Sequence, residues 1–399
     1  MIKAAKMQVV VLMGGLGTRL KSYTKETPKP LVEVNGMPFF DYQFDLMRKA
    51  GFCKFLFLIG YRAQMIESYY GDGSKWNVSI SYSYDGEELL GTGGAVRRAY
   101  DLLEDDFLLM YADSFMDIDF QETLYRYSIA KEQGKQALMT VLKNQNAYDK
   151  SNCIIENGQL LLYDKHHPTE QMNYIDYGIG IYQKQLFTNY QLHEKFDVAV
   201  IQNALSLHKQ MAVHIVTKRF YEIGSPQSLA EFKEYSKQRF FEKHPAVFLD
   251  RDGVLNEIVY NEDTEQMDSP LKIEEVVFMD RAAEAIRLLR DKGYYVFIVT
   301  NQPAAAKGKV KLDRLYDINT YLIEQLKEQG ALIDDLFMCP HYTRKLDLTK
   351  EDFLIENCEC RKPKAGLLLK AGEKYQIDWE HSYMVGDSYT DVVAGQNAN

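Results

Sequence analysis

The stretch QVVVLMGGLGTRL (residues 8–20) decides the fold of the first half of the chain. An apolar run rich in β-branched residues that passes straight into glycines reads as a buried strand feeding a tight loop. Through Gly14, Gly15 and Gly17 such a loop can turn backbone N–H groups onto phosphate oxygens and let the chain approach them closely. The loop lacks the Gly-Lys-Ser/Thr ending of a P-loop, and Leu20 stands where the dinucleotide fingerprint has its third glycine. Thr18 and Arg19 inside it, with Lys29 between two prolines, add a hydroxyl and two cations. That set suits a nucleotide triphosphate and the charge that develops in phosphoryl-type transfer.

Working outward, KFLFLIG (54–60), VSISYSY (78–84), DFLLMYAD (106–113) and ALMTVLK (137–143) read as further strands. FFDYQFDLMRKAGF (39–52) and ETLYRYSIAKEQGK (122–135) between them have helical apolar spacing. This alternation predicts an α/β fold with a mostly parallel sheet covered by helices. A helix is predicted over 225–243, and the pattern then restarts with AVFLDRDGVLN (246–256), AIRLLRDKGYYVFIVTN (285–301) and SYMVGDS (382–388). Two domains are therefore expected, 1–243 and 244–399, joined by that helix. The chain ends just past a strand–loop–helix unit that would ordinarily feed another strand, so an exposed sheet edge is expected there.

The chain has 399 residues, 47 Lys and Arg against 57 Asp and Glu, and a net charge of −10. That balance disfavours nonspecific binding to nucleic acid or an anionic membrane surface, leaving only local basic pockets. No apolar run approaches the ~20 residues of a membrane span. The basic start runs into the Gly-rich loop without a cleavage site, so it reads as a first strand rather than a signal peptide, and a cytoplasmic location is expected. Of the five cysteines, Cys53 and Cys153 read as buried bystanders. Cys339, His341, Cys358 and Cys360 cluster as Cys-x-His…Cys-x-Cys, three thiolates and an imidazole suited to a closed, structural zinc site.

With the order of its motifs in view, the N-terminal half resembles the sugar-1-phosphate nucleotidyltransferases over roughly residues 7–235, and within them the heptose-1-phosphate guanylyltransferases. The resemblance implies a Rossmann-like mixed-sheet fold and Mg²⁺-dependent in-line transfer of a nucleotidyl group to a sugar phosphate. LLGTGGAV (89–96) would be a second nucleotide-binding loop, with Gly91, Thr92, Gly93 and Gly94 near the base and ribose. Asp113 in YADSF and Glu222 in YEIGSP would hold Mg²⁺, Glu222 standing where the family usually has aspartate. Lys165 in YDKHHP would meet the sugar phosphate, and DYGIGIY (176–182) would form a sugar-binding turn around Gly178. GTP is the nucleotide that the subfamily resemblance favours, although the glycines themselves do not read the base.

In the C-terminal half, Asp250 and Asp252 follow a buried-type strand at i and i+2, so both carboxylates can reach one phosphate as nucleophile and general acid. With Thr300, Lys362, Asp387 and Asp391 the set resembles the haloacid-dehalogenase (HAD) superfamily, over roughly residues 245–397. The resemblance implies a HAD-like parallel-sheet domain with a zinc-bound loop. Asp250 would be the aspartyl-phosphate nucleophile and Asp252 the acid/base, with Thr300 and Lys362 clamping the phosphoryl group. Mg²⁺ would lie on Asp250, Asp387 and the backbone carbonyl of Asp252, with Asp391 behind them. Asn301 and Arg361 are the neighbouring candidates to meet the sugar phosphate. The Cys/His pattern together with CRKPKAG (360–366) resembles the zinc-containing heptose bisphosphate phosphatases. Pro303–Gly308 departs from their usual Ser-Gly-Ile-Ala-Arg-Gly-like loop, with Lys307 in place of the arginine.

The combined expectation is a bifunctional enzyme of nucleotide-sugar synthesis. It would remove the 7-phosphate of a heptose 1,7-bisphosphate and join the resulting heptose 1-phosphate to a nucleoside triphosphate. Two other readings remain. One keeps both chemistries but changes the substrate to another phosphorylated sugar or polyol, with CTP or another triphosphate. The other makes one domain a degenerate binding or scaffold module. Self-association is left open.

Overall fold

The structure is a computed structural model that describes residues 2–15, 20–86, 88–261 and 265–398. The chain divides into two compact units, Met1–Glu234 and Tyr235–Asn399. In the first, the strand Gln8–Leu12 lies between Lys54–Ile59 and Asp106–Tyr111, parallel to both, and Ser79–Tyr84 extends the parallel part beyond Lys54–Ile59. All five strand runs read from the sequence are strands. The remainder of the sheet mixes directions, as the family resemblance implied and the strand–helix alternation by itself did not: Met211–Val216 runs parallel to Ala137–Lys143, and the other pairings are antiparallel. Tyr174–Gln183 runs antiparallel to Asp106–Tyr111 and to Ala137–Lys143, and Cys153–Glu156 pairs with Gln159–Tyr163 as a hairpin. DYGIGIY is therefore strand rather than turn. Its register shifts between Asp176 and Gly180, and Gly178 takes a φ of +96° at that irregularity.

The helix Phe39–Lys49 buries an almost continuous aromatic face on this sheet. Phe44 meets Phe55 at 4.9 Å and Tyr70 at 5.5 Å between ring centroids, both edge-on. Edge-on contact sets the positive ring rim against the negative ring face, and each such pair contributes ~0.5–1.5 kcal/mol beyond the apolar area it buries. On another helix, Phe120–Glu132, buried Glu122 is the anion of a network. Arg126 Nε donates to it at 2.7 Å, His214 Nε2 lies 3.2 Å away, and Thr123 Oγ1 pairs with His214 Nδ1 at 3.0 Å. Burial alone would favour the neutral acid, but His214 and Arg126 outweigh it and push the Glu122 carboxyl down to about 2.

The second unit has a four-stranded, all-parallel sheet in the order Asp335–Cys339, Tyr295–Asn301, His244–Leu249, Ile377–Val385. Strands covered on both faces are near-continuous apolar runs, and Tyr295–Asn301 is buried at every position from Val296 to Thr300. Ile377–Val385 forms an edge of this sheet, with Tyr383 and Val385 exposed. The division between units falls inside the helix Pro226–Phe240 rather than after it. Its first part packs in the first unit, where Phe232 meets Phe39 edge-on at 4.7 Å. Its last part belongs to the second, where the Arg239 guanidinium lies 4.5 Å from the centre of the Tyr375 ring and its carbonyl accepts from the Gln376 amide. Among the described residues no helix is long and apolar enough to cross a membrane.

Removing the buried anion tests this packing. Glu122→Ala leaves Arg126 and His214 without their carboxylate and is expected to cost about 3 kcal/mol at neutral pH. Because the folded-state carboxyl is depressed from 4.5 to about 2, its contribution is complete above the higher value. It is lost as pH falls through the lower one. Urea unfolding followed at Trp76 should show the mutant–wild-type gap closing across that window.

Candidate functional site

In the first unit, polar groups collect where the parallel strands end. Met13 N donates to Leu58 O at 2.8 Å, so the chain stays paired up to Gly14. A Cβ on Gly14 would lie 2.0 Å from Asp85 Oδ2, whereas one on Gly15 would meet nothing within 4 Å. Gly14 is thus required by a buried carboxylate that the sequence reading missed, and burial pushes that carboxyl up. Gly17, Thr18 and Arg19 lie outside the described residues.

Lys29 reaches Asp113, with Nζ 2.9 Å from Oδ2. Ser114–Phe115 pairs antiparallel with Tyr221–Glu222, setting Glu222 opposite Ser114, and Ile223 N donates to Asp113 O. A two-residue ladder therefore brings the two predicted magnesium ligands, 109 residues apart in sequence, onto neighbouring backbone.

Gly91–Gly94 do not form an open loop; they are the first turn of the helix Gly91–Arg98. The amides of Gly93 and Gly94 donate to Phe196 O at 3.0 and 3.2 Å, and a Cβ on Gly93 would strike the Phe196 ring. These two amides are taken by the protein itself, so close packing on Phe196 is what demands glycine here. Thr92 Oγ1 donates to Asp197 Oδ1 at 3.1 Å, and Lys165 Nζ stands 3.4 Å from Asp197 Oδ2. Asp176, half-buried on its strand, accepts from Gly178 N and Gln202 Nε2, and desolvation pushes its carboxyl up. Tyr111 ends its strand, and burial together with the field of Asp176, Asp197 and Asp113 pushes its hydroxyl up. Tyr111, Asp176 and Asp197 were not read from the sequence. Only Asp197 had a signal, a polar residue just before the apolar run Val198–Leu207.

In the second unit Asp250, Lys362, Asp387 and Asp391 meet at the carboxyl edge of the sheet, where Thr300 also stands at the end of its strand. Asp250 follows Leu249, and its amide donates to Val385 O at 2.9 Å. Lys362 is buried, with Nζ 2.9 Å from Asp250 Oδ1, 2.5 Å from Asp391 Oδ1 and 2.9 Å from Val299 O. Lys362 N and O exchange hydrogen bonds with the Asn301 side chain, which locks the loop to the strand end. Burial pushes the Asp250 carboxyl up while Lys362 pulls it down. Asp250, Asp387 and Asp391 gather their carboxylates within 4.8 Å of one another. Asp391, expected behind the other two, is thus a full member of this cluster.

Asp252 faces elsewhere. It accepts from Arg251, Asn256 Nδ2, Ser269 Oγ and Gln302 Nε2, and Gln302 also donates to Thr300 Oγ1 at 3.0 Å. Against the opposing effect of burial these donors hold the Asp252 carboxyl below its usual range. Arg361 NH1 donates to His341 O and lies near the Tyr342 ring, over which Lys307 Nζ sits at 5.0 Å.

Cys339, His341, Cys358 and Cys360 converge. The Cys339 and Cys358 sulfurs are 3.6 Å apart, and His341 Nδ1 is 3.3 Å from Cys360 Sγ. Tetrahedral Zn–S bonds of ~2.3 Å set ligand sulfurs about 3.8 Å apart, so the donor set and its spacing fit zinc. Neighbouring Cys339 and burial push the Cys360 thiol up to about 12, the environment of crowded thiols that a cation relieves.

The nucleotidyl transferase family profile matches residues 8–239, and a HAD-hydrolase-like profile matches residues 359–399. A D-glycero-alpha-D-manno-heptose-1,7-bisphosphate 7-phosphatase of Campylobacter jejuni is 36% identical over 160 residues, 39% of this chain and 79% of that protein. A D-glycero-alpha-D-manno-heptose 1-phosphate guanylyltransferase of Aneurinibacillus thermoaerophilus is 30% identical over 224 residues, 55% of this chain and 94% of that protein. A Bacillus anthracis structure described as a glucose-1-phosphate thymidylyltransferase shares the fold. Its TM-score is 0.52 at 18% identity, covering 59% of this chain and 98% of that one.

Gly253 offers a test of the acidic cluster. Its φ is +82°, and a Cβ there would lie 2.2 Å from Asp387 Oδ2. Gly253→Ala is expected to displace Asp387 and lower phosphomonoesterase turnover by about a hundredfold, as ångström-scale misplacement does. Pyrophosphate release by the first unit, assayed on the same preparation, should be unchanged.

Proposed function

The chain belongs to the nucleotidyl transferase family and carries a HAD-type phosphatase domain after it; from that premise we propose that it catalyses two consecutive steps on one sugar. The second unit removes the C7 phosphate of a D-glycero-D-manno-heptose 1,7-bisphosphate. The first joins the remaining heptose 1-phosphate to GTP, giving GDP-heptose and pyrophosphate. The observation that carries this reading is the pairing in one chain of two domains whose relatives act on linked substrates: the product of the phosphatase is the acceptor of the guanylyltransferase.

In the phosphatase reaction an Asp250 carboxylate oxygen attacks phosphorus, the P–O bond to C7 breaks, and an aspartyl phosphate forms. The alkoxide takes a proton from Asp252, whose proton affinity rises as the phosphate's negative charge arrives beside it. Water then attacks the aspartyl phosphate, and Asp252, ionised again, accepts its proton. Lys362 and Thr300 hold the transferring oxygens, and Asn301 keeps Lys362 in place. Asp250, Asp387 and Asp391 would hold Mg²⁺, which supplies charge neutralisation to the phosphate. In the transfer reaction a phosphate oxygen of the sugar attacks the α-phosphorus of GTP in line, and the bond to the β-phosphate oxygen breaks. Arg19 and Lys29 balance the triphosphate, Lys165 holds the sugar phosphate, and Asp113 and Glu222 would hold Mg²⁺. Asp85 supports guanine. A carboxylate beside Gly14 complements the adjacent N1–H and N2–H₂ donors of that base, which cytosine lacks. A zinc ion on Cys339, His341, Cys358 and Cys360 would brace the loop that continues into Arg361 and Lys362.

The direct test is product analysis with heptose 1,7-bisphosphate and each of the four nucleoside triphosphates. Inorganic phosphate, pyrophosphate and GDP-heptose are expected, with GTP preferred and the preference over CTP reduced in Asp85→Ala. Release of no phosphate from the heptose would transfer the assignment to another phosphorylated sugar or polyol. Elemental analysis of native protein should give one zinc per chain, and stripping it with a chelator should lower phosphatase turnover. A zinc content of zero removes that site.

A further inference from the structure

The transferase motifs lie far apart in sequence, and one carboxylate touches two of them. Asp197 caps the helix Val198–Leu207 by accepting from Ala199 N at 2.9 Å through Oδ1. An N-cap needs a single oxygen. Here Oδ1 also accepts from Thr92 Oγ1 at 3.1 Å, and Thr92 Oγ1 accepts from Val198 N at 2.9 Å. Oδ2 is left over, and it is the atom that faces the Lys165 ammonium at 3.4 Å. The residue before it clamps the same glycine turn. Phe196 O takes the amides of Gly93 and Gly94, Phe196 N donates to Leu90 O, and the Phe196 ring stacks on Tyr190 at 3.9 Å.

The Lys165–Asp197 pair is half exposed, with side-chain exposures of 50% and 37%, so solvent screens it and it contributes little to stability. Its effect is geometric. A lysine stem has four rotatable bonds, and an anion anchored in a cap and a turn limits where the ammonium rests.

We infer that Asp197 is a positioning residue of the transferase site, registering the Lys165 ammonium against the Thr92 turn so that a sugar 1-phosphate is received in line with the nucleotide. The inference rests on Lys165 being the cation that meets the sugar phosphate. Asn at this position keeps the oxygen that caps the helix and accepts from Thr92, and removes only the charge that faces Lys165.

The experiment uses the full chain and initial rates of pyrophosphate release for wild type, Asp197→Asn, Lys165→Ala and the double variant, each substrate being varied in turn. Asp197→Asn is expected to raise KM for the sugar 1-phosphate about tenfold, with KM for GTP and the melting temperature unchanged. In the Lys165→Ala background it should add nothing, since its effect passes through that ammonium. An unchanged sugar-phosphate KM, an equal rise in both KM values, or an undiminished effect without Lys165 would each overturn the inference. Wild type that ignores heptose 1-phosphate but uses another sugar 1-phosphate overturns the heptose reading alone, and Asp197→Asn is then judged on that sugar. Wild type that releases no pyrophosphate with any sugar 1-phosphate overturns both.

Discussion

Strands that pair in parallel come out side by side at their carboxyl ends, and the chemistry of both units depends on that constraint. At such an edge the ladder stops, backbone groups lose their partners, and the loops must supply polar contacts of their own. Asp250, Thr300, Cys339 and Asp387 all lie at or just past the ends of the four parallel strands of the second unit. In the first unit Gly14, Asp85 and Asp113 leave parallel strands in the same way. Residues far apart in sequence meet because pairing aligns strand ends.

In both units cations rest on carboxylates. Lys29 pairs with Asp113, Lys165 with Asp197, and Lys362 with Asp250 and Asp391. The pairs differ in depth, and depth sets their character. Lys362 is 3% exposed, and its ammonium holds two carboxylates and a carbonyl in place around it. Lys165 is half in water, so its ammonium keeps donors free for a phosphate while it faces Asp197. Part of the acidic excess of the chain therefore stands opposite lysines at sites suited to bind phosphates.

Glycines at these edges have a common physical meaning that differs from the one a motif suggests. The sequence reading took Gly14 as backbone cleared for phosphate and Gly91–Gly94 as backbone cleared for the base and ribose. At Gly14 the space that a Cβ would fill is held by the Asp85 carboxylate, and at Gly93 by the Phe196 ring. Close approach was legible in both places. The approaching group was not, because Asp85 and Phe196 belong to other segments of the chain, and only the folded sheet and its covering helices bring them in.

The sequence by itself determined the two α/β units, the five strands first read in the N-terminal half, the Cys/His cluster and the acidic residues of the phosphatase edge. Each of these is local: apolar periodicity, a polar residue at a strand end, or ligands a few residues apart. Tertiary structure decided which strands of the first sheet pair antiparallel. There Tyr174–Gln183 carries a glycine irregularity, and its pairing with Asp106–Tyr111 depends on contacts some seventy residues away in sequence. It likewise decided that the helix Pro226–Phe240 is divided between units, because Phe232 and Arg239 find separate cores. The same holds for the hydrogen bonds that hold the Asp252 carboxyl below its usual range and for the meeting of Thr92 and Lys165 on the Asp197 carboxylate. Which donor a carboxylate finds is a matter of a few ångströms across elements, and a linear pattern does not carry that distance.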